Sequence, residues 1–494
     1  MAKKVLFISV DQMRADHAGF TGHPMIKTPH LDALAAAGTV FENHFCNTTP
    51  CGPARATMLT GLYPMTHRSI NNGTPLDARF TNIALEAADL GLAPALFGYT
   101  DSSVDPRTVA PDDPRLLTYE GVLPGFTQHT NLNLDGLGQW LSWLEARGYK
   151  TPDRPLEIYN HTDKAHDGAF PTAPATYEAA HSDTAFLAGE AMSYIEQNAA
   201  EDWFVHLVFL RPHPPLIAPA PYNTLYDWQD VAGPAAAETD VHPFIQMWRL
   251  VVDDPDYFMS GVSMAGLSDD GIKQARAIYM GLISEVDHHI GQVIDCLKRT
   301  GQWDDTLIVF TSDHGEELGD HGLWGKGGFY DGSYHVPLIV RDPAVDGGSR
   351  VSAFTEHVDL APTILNWLGK DIPHVWDGRS LLPWVAGTIP DTWRTGVFLE
   401  FDWRFIFPAS TPKAGELAQE QHQLCVWRDA NFKLVHFADG SQALFDLAAD
   451  PGERTNLADH TDYAAARADH LTALMSHRMT HADRTLTHIR LSAH

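Results

Sequence analysis

The chain has 494 residues, 44% of them hydrophobic and 20% charged, with 34 basic against 63 acidic side chains and a net charge of −29. The composition is that of an ordinary globular protein, and its acidic balance disfavours any general grip on nucleic-acid phosphates or an anionic membrane surface. Four scattered cysteines make neither a disulfide framework nor a zinc knuckle, which fits a reducing, cytoplasmic setting, and no apolar run approaches the roughly 20 residues needed to cross a bilayer.

In chain order, an apolar run predicts a first strand over Val5–Val10, too short and too soon ended by Asp11 to be a signal segment. A helix is expected at Leu31–Ala37. A short second helix runs on from Cys51, framed by Pro53 just inside its start and Gly61 just past its end. Strands follow at Pro94–Tyr99 and Trp203–Leu210, with a helix at Ser182–Gln197 between them. A helix at Asp270–Arg299 then leads to strands at Thr306–Thr311 and Val336–Val340. This alternation predicts an α/β fold with a central, mostly parallel sheet flanked by helices. Residues 218–268, rich in Pro, Ala and Asp, read as an insertion or lid within a catalytic unit spanning 1–390. The remainder, 391–494, reads as a smaller α+β unit. Its antiparallel strands are expected at Gly396–Phe401, Leu424–Trp427, Phe432–His436 and Ala443–Leu447, with a helix near Tyr463–Met479.

In open α/β sheets ligands bind beyond the carboxyl ends of the strands. The first strand ends in Asp11-Gln12, and Thr306–Thr311 runs into Asp313-His314-Gly315. Alone, Asp11 reads equally well as a turn cap. With both strands central and adjacent, three oxygen donors and one imidazole converge, a set suited to one divalent cation: Mn²⁺ foremost, with Fe²⁺ or Ca²⁺ as alternatives. Asp320-His321 is either a second half-site or an ordinary loop pair. Cys51 at a helix amino end lies where an anion is stabilised and a thiol acidified. The other reading is a small buried cysteine beside a structural Arg55. The C-x3-R spacing fits a cysteine-nucleophile phosphatase loop poorly.

Cys51-Gly-Pro53-Ala-Arg55 followed by Thr60-Gly61 resembles the C-x-P-x-R…T-G signature of the formylglycine-dependent sulfatases. The order of motifs resembles the alkaline phosphatase superfamily, and the likeness extends through Val358–Thr363 to the Leu444–Leu457 stretch. Within it the chain looks most similar to the phosphonate monoester hydrolases and their arylsulfatase relatives. The resemblance implies an alkaline-phosphatase-like fold and hydrolysis of sulfate monoesters, with phosphonate monoesters and phosphodiesters as side substrates. Its alternatives are a primary phosphonate monoester hydrolase, a two-metal phosphatase and a silent metal- or anion-binding protein.

The same resemblance implies that a formylglycine-generating enzyme oxidises Cys51 to an aldehyde. The hydrate of that aldehyde carries two hydroxyls, one to attack sulfur or phosphorus and one to release the resulting ester. Asp11, Gln12, Asp313 and His314 become the metal ligands, and Arg55 orients the hydrate. His213, in Arg211-Pro-His213-Pro-Pro, and Lys326, in Leu323-Trp-Gly-Lys326-Gly, become the groups that meet the ester oxygens. Without the family pattern these two read as a turn histidine and a solvated loop lysine. Asn72 and Tyr99 fall at substrate contacts, Tyr99 equally well in the core. Asp101 stands where that branch carries a hydroxyl residue. An added carboxylate disfavours a second negative charge, by about 1 kcal/mol at 4 Å in water, and so leans towards singly charged esters. The Met479–His488 segment is similar to the branch's tail, implying a homodimer or homotetramer, or else an intrachain clamp.

Overall fold

The computed structural model describes residues 3–163, 168–236, 241–251, 262–404, 406 and 417–490. Its large sheet contains β1 (Lys4–Asp11), β2 (Thr39–Phe45), β3 (Ala95–Phe97), β4 (Thr127–Thr130), β5 (Trp203–Pro212), β6 (Thr306–Ser312), β7 (Leu338–Arg341) and β8 (Ser349–Glu356). The spatial order is β4-β3-β5-β1-β6-β7-β2-β8, and only β7 runs antiparallel to its neighbours among the described strands of this sheet. The three central strands β5, β1 and β6 are buried along their whole length, as near-continuous apolar runs inside a covered parallel sheet must be.

The helices that bear on function are α1 (Pro29–Ala36), α2 (Cys51–Thr60), α3 (Asp183–Gln197), α4 (Pro243–Val251), α5 (Asp269–Arg299), α6 (Leu360–Trp367) and α7 (Ala464–Thr480). Ser182 and Ser268 cap α3 and α5, each accepting a backbone N–H of the first turn. Those two helices pack on each other and on β5. All ten residues of α2 are buried. Gly61 ends it with φ of 64°, and a Cβ there would meet the Trp376 ring at 3.2 Å, so the position calls for glycine on both counts.

The expected elements are present with bounds shifted by a few residues; β2, β4 and β8 were not anticipated. Within 218–268 the described residues include α4, while 237–240 and 252–261 lie outside the described residues. A second sheet, β9 (Gly396–Asp402), β10 (Gln423–Asp429), β11 (Phe432–Phe437) and β12 (Gln442–Asp446), is antiparallel throughout, and α7 packs on β10 and β11. The late Asp450 and Asn456 are turn-formers: Asp450 accepts the N–H groups of Arg454 and Thr455, and Asn456 those of Leu444 and Ala458. Beyond α7 the chain is clamped to its own body, with His481 Nδ1 3.1 Å from Asp377 and Arg484 donating to the Trp376 carbonyl at 2.7 Å. The four cysteines are free, and among the described residues no helix is long and apolar enough to cross a membrane.

Strand register decides where the chemistry gathers. Val10 of β1 lies opposite Ser312 of β6, and after a bulge Asp11 lies opposite Pro212 of β5. The residues that follow all three strands therefore emerge side by side at one edge of the sheet.

Candidate active site

Ten of the eleven catalytic, substrate and metal candidates named from the sequence form one connected set of contacts at that edge, and the eleventh, Asn72, joins them through Gly52. Arg55, projecting from α2, is its hub. Its Nε donates to Asp313 Oδ2 at 2.9 Å, its Nη2 to Asp11 Oδ2 at 2.7 Å, and its Nη1 lies 3.5 Å from Asp101 Oδ2. The guanidinium lies over the Tyr99 ring at 4.0 Å, and Tyr99 donates its hydroxyl to Asp11 Oδ2 at 2.5 Å. A planar, five-donor cation suits such a site, where three carboxylates meet out of reach of water.

Cys51 opens α2. Its Sγ is 3.2 Å from Lys326 Nζ and 3.3 Å from His314 Nε2. The expectation that the helix end acidifies this thiol is corrected by its surroundings. Burial pushes the thiol well up, and the charge of Asp11 adds to that, outweighing the pull of Lys326. Gly52 is held by Asn72, whose Oδ1 accepts its N–H at 2.9 Å. A Cβ on Gly52 would come within 3.1 Å of both that oxygen and the Asp101 carbonyl, so the second position of the motif is glycine for space.

Lys326 has three N–H bonds and three acceptors: Gln12 Oε1 at 2.9 Å, Cys51 Sγ at 3.2 Å and His213 Nε2 at 3.2 Å. Burial works against its charge, but Cys51, Asp11 and Asp313 outweigh it and raise its pKa. His213 places Nδ1 2.6 Å from the Pro214 carbonyl, so Nδ1 carries the hydrogen and Nε2 is left as the acceptor. Burial, then the neighbouring ammonium, holds the His213 ring down to about 3, neutral at physiological pH. Gln12 is in the left-handed region, with φ of 74°, a strained conformation typical of functional sites. Its amide donates to Glu316, a residue the sequence reading passed over although it follows Asp313-His314-Gly315 directly. Asp101 shares the left-handed conformation, at φ of 50°. Burial, opposed by Arg55 and aided by Asp11 and Asp313, pushes its carboxyl up to about 7.

The donor set fits a divalent cation. Asp11, Cys51, Asp313 and His314 each offer an atom, all within 4.8 Å of one another. Asp11 Oδ1 is buried without a hydrogen-bond partner, a costly state for a carboxylate oxygen unless a cation meets it. His314 donates Nδ1–H to the Gly315 carbonyl at 2.9 Å, which leaves the Nε2 lone pair free, as a metal-bound imidazole requires. By contrast Asp320 is consumed by Arg14 at 2.9 Å and Arg276 at 2.6 Å, so the Asp320-His321 pair serves the loop. In front of the cluster opens a cleft of about 980 Å³ whose walls include Asn72, Tyr119, His213, Lys326 and, from α4, Trp248.

Comparison with known proteins gives consistent matches. The Sulfatase family model matches residues 3–370, and the model described as N-sulphoglucosamine sulphohydrolase, C-terminal, matches residues 319–481. The multifunctional alkaline phosphatase superfamily protein PehA of Trinickia caryophylli is 40% identical over 508 residues, covering 99% of this chain and 98% of its own. The choline-sulfatase of Rhizobium meliloti is 28% identical, covering 97% and 86%. Among solved structures, the phosphonate monoester hydrolase of Agrobacterium radiobacter superposes with a TM-score of 0.91 at 43% identity, over 99% of this chain and 98% of that one. The phosphonate monoester hydrolase SpPMH of Silicibacter pomeroyi gives 0.92 at 42%, with the same coverage.

Proposed function

The chain belongs to the sulfatase family of the alkaline phosphatase superfamily, and from that premise we propose that it hydrolyses sulfate monoesters, aryl esters foremost, with phosphonate monoesters and phosphodiesters as further substrates. The observation that carries this reading is the convergence of Asp11, Asp313, His314 and Lys326 on Cys51. Family membership implies a metal ion and a formylglycine formed from the cysteine. In this reading Asp11, Gln12, Asp313 and His314 hold the ion, Mn²⁺ in preference to Fe²⁺ or Ca²⁺, which supplies Lewis-acid charge at the reacting oxygens when bound.

The chain's own groups do the rest. Arg55, fixed by carboxylates, orients the side chain at position 51. Lys326 neutralises the non-bridging oxygens, and the Lys326–His213 pair meets the charge that develops on the leaving oxygen. Tyr99 pins Asp11, and Asn72 steadies the start of α2 at the cleft wall. Asp101 puts a carboxyl beside Arg55 that, once ionised above about pH 7, disfavours doubly charged esters.

Cys51→Ala tests the reading: kcat is expected to fall by about 10³-fold or more with the fold retained, and an unchanged rate on every ester would end it. A mass spectrum of the Cys51 peptide, after expression with a formylglycine-generating enzyme, is expected to show the aldehyde. A second reading makes phosphonate monoesters the primary substrates, favoured by the 42% and 43% identical structures named for that activity. Comparing kcat/KM for an aryl sulfate and an aryl phosphonate on one preparation decides between them. A cytoplasmic setting accords with the four free cysteines. A homodimer or homotetramer accords with exposed Met475, Met479, Leu486 and Ile489 near the C-terminus, the second of them 76% exposed, and light scattering tests it.

A further inference from the structure

The proposed chemistry uses His213 but leaves unassigned the group that holds it. Arg211, at the end of β5, is fully buried. Its Nε donates to Asp183 Oδ2 at 3.0 Å, and its Nη1 donates to two carbonyls, His213 at 3.0 Å and Pro215 at 2.8 Å. The guanidinium lies over the Tyr159 ring at 4.3 Å, and the Tyr159 hydroxyl donates to the same Asp183 oxygen at 2.9 Å. Asp183 stands in the first turn of α3, beside its Ser182 cap. A second carboxyl lies near. Burial, then the charge of Asp183, pushes Glu285 on α5 up to about 8, and it is Asp183 that lies within ion-pair distance of Arg211, at 3.0 Å.

We propose that Arg211 is a positioning residue for the leaving-group side of the site: anchored on Asp183 and Tyr159, it grips the His213–Pro215 backbone so that His213 Nε2 meets Lys326 Nζ. This rests on the reading that the Lys326–His213 pair faces the leaving oxygen. The contact it secures is 3.2 Å long, and His213 is the third acceptor of a lysine whose other two protons are already directed at Gln12 and Cys51. Turning the ring away frees the ammonium to rotate, and a misplacement of about 1 Å is enough to cost about 10²-fold in rate. One lysine cannot replace the arginine, because a point donor does not reach a carboxylate and two carbonyls in a fixed fork.

The test compares Arg211→Lys with His213→Ala on two aryl esters of whichever class is turned over faster, one with a 4-nitrophenol leaving group and one with phenol. Both variants are expected to lose about 10²-fold in kcat on the phenyl ester and several-fold less on the nitrophenyl ester, with KM nearly unchanged. The double variant is expected to be no slower than His213→Ala. Equal losses on the two esters for Arg211→Lys, beside unequal losses for His213→Ala, overturn the assignment of Arg211 alone. Equal losses for His213→Ala overturn the reading of His213 and this proposal with it. If thermal melting shows that Arg211→Lys does not fold, Asp183→Asn, which removes the anchoring charge at constant size, is held to the same outcomes.

Discussion

Two of the buried carboxylate clusters are finished differently. Where β8 ends, Glu356 and Asp359 share Arg394. Glu356 Oε1 accepts from Asn47 at 3.0 Å and from the Phe398 N–H at 2.8 Å, and Oε2 accepts from Tyr63 at 2.7 Å and lies 2.9 Å from Arg394 Nε in an ion pair. Asp359 Oδ1 accepts from the Arg379 N–H and from Arg394, and Oδ2 from the Glu356 N–H and from Arg394. Each of the four oxygens has a hydrogen-bond donor and a second polar contact, and the cluster ties β8 to β9 and to the segment leading into α2. At the active site Asp11, Asp313 and Asp101 share Arg55, yet Asp11 Oδ1 and Asp101 Oδ1 have no hydrogen-bond partner. The first arrangement is complete within the chain; the second leaves two buried oxygens without a donor, which suits the cation and substrate of the proposed function.

If that contrast is right, the two clusters respond oppositely to losing a partner. Arg394→Met removes the cation that both buried carboxyls share and is expected to cost about 3–5 kcal/mol, read as a lower denaturation midpoint. A loss below about 1 kcal/mol would break the comparison. Assayed well above pH 7, where the Asp101 carboxyl is ionised, Asp101→Asn removes one active-site charge. It is expected to leave stability nearly unchanged and to shift kcat/KM towards doubly charged phosphate monoesters by about fivefold or more, the equivalent of about 1 kcal/mol of relieved repulsion.

The smallest expected effect sharpens the contrast with a third, partly exposed pair. His470 of α7 lies 3.0 Å from Asp429 at the end of β10. Burial lowers the imidazole pKa, but Asp429, close against Nε2, outweighs it and raises it. Asp429, against its own burial, is held down to about 2. The raised His470 contributes stability in full below its unfolded pKa, about 6.5, and loses it as pH rises through the folded value; Asp429 contributes above about 3.9 and loses it as pH falls towards 2. Their pair therefore favours folding between about pH 4 and 6.5. His470→Ala is expected to cost less than about 1 kcal/mol at pH 5 and still less at pH 8. An equal cost at both would contradict the assignment.

How much of this was readable beforehand depended on whether the signal was local. The apolar runs of β1, β5 and β6 announced central strands, and Pro53 and Gly61 framed α2. β4, Thr127-Gln-His-Thr130, and β8, which starts Ser349-Arg350, are edge strands with polar, partly exposed sequences, so neither showed an apolar run. β2 was missed because its burial is broken by Glu42 and Asn43 in mid-strand. Site residues that directly end strands or sit in the cysteine motif were legible. Arg211 was seen only as part of a motif, because its anchor Asp183 lies 28 residues away in sequence and meets it only through the packing of α3 on β5. The acidity expected of Cys51 failed because a helix end was weighed without the surrounding burial and the Asp11 carboxylate.

The central claim is that Asp11, Gln12, Asp313 and His314 hold one divalent ion facing position 51. Elemental analysis of the purified protein and of Asp313→Ala, with folding checked by circular dichroism, tests it directly. The account predicts close to one equivalent of metal in the unaltered protein and almost none in a folded Asp313→Ala; full occupancy in that variant, or two equivalents in the parent, would contradict it.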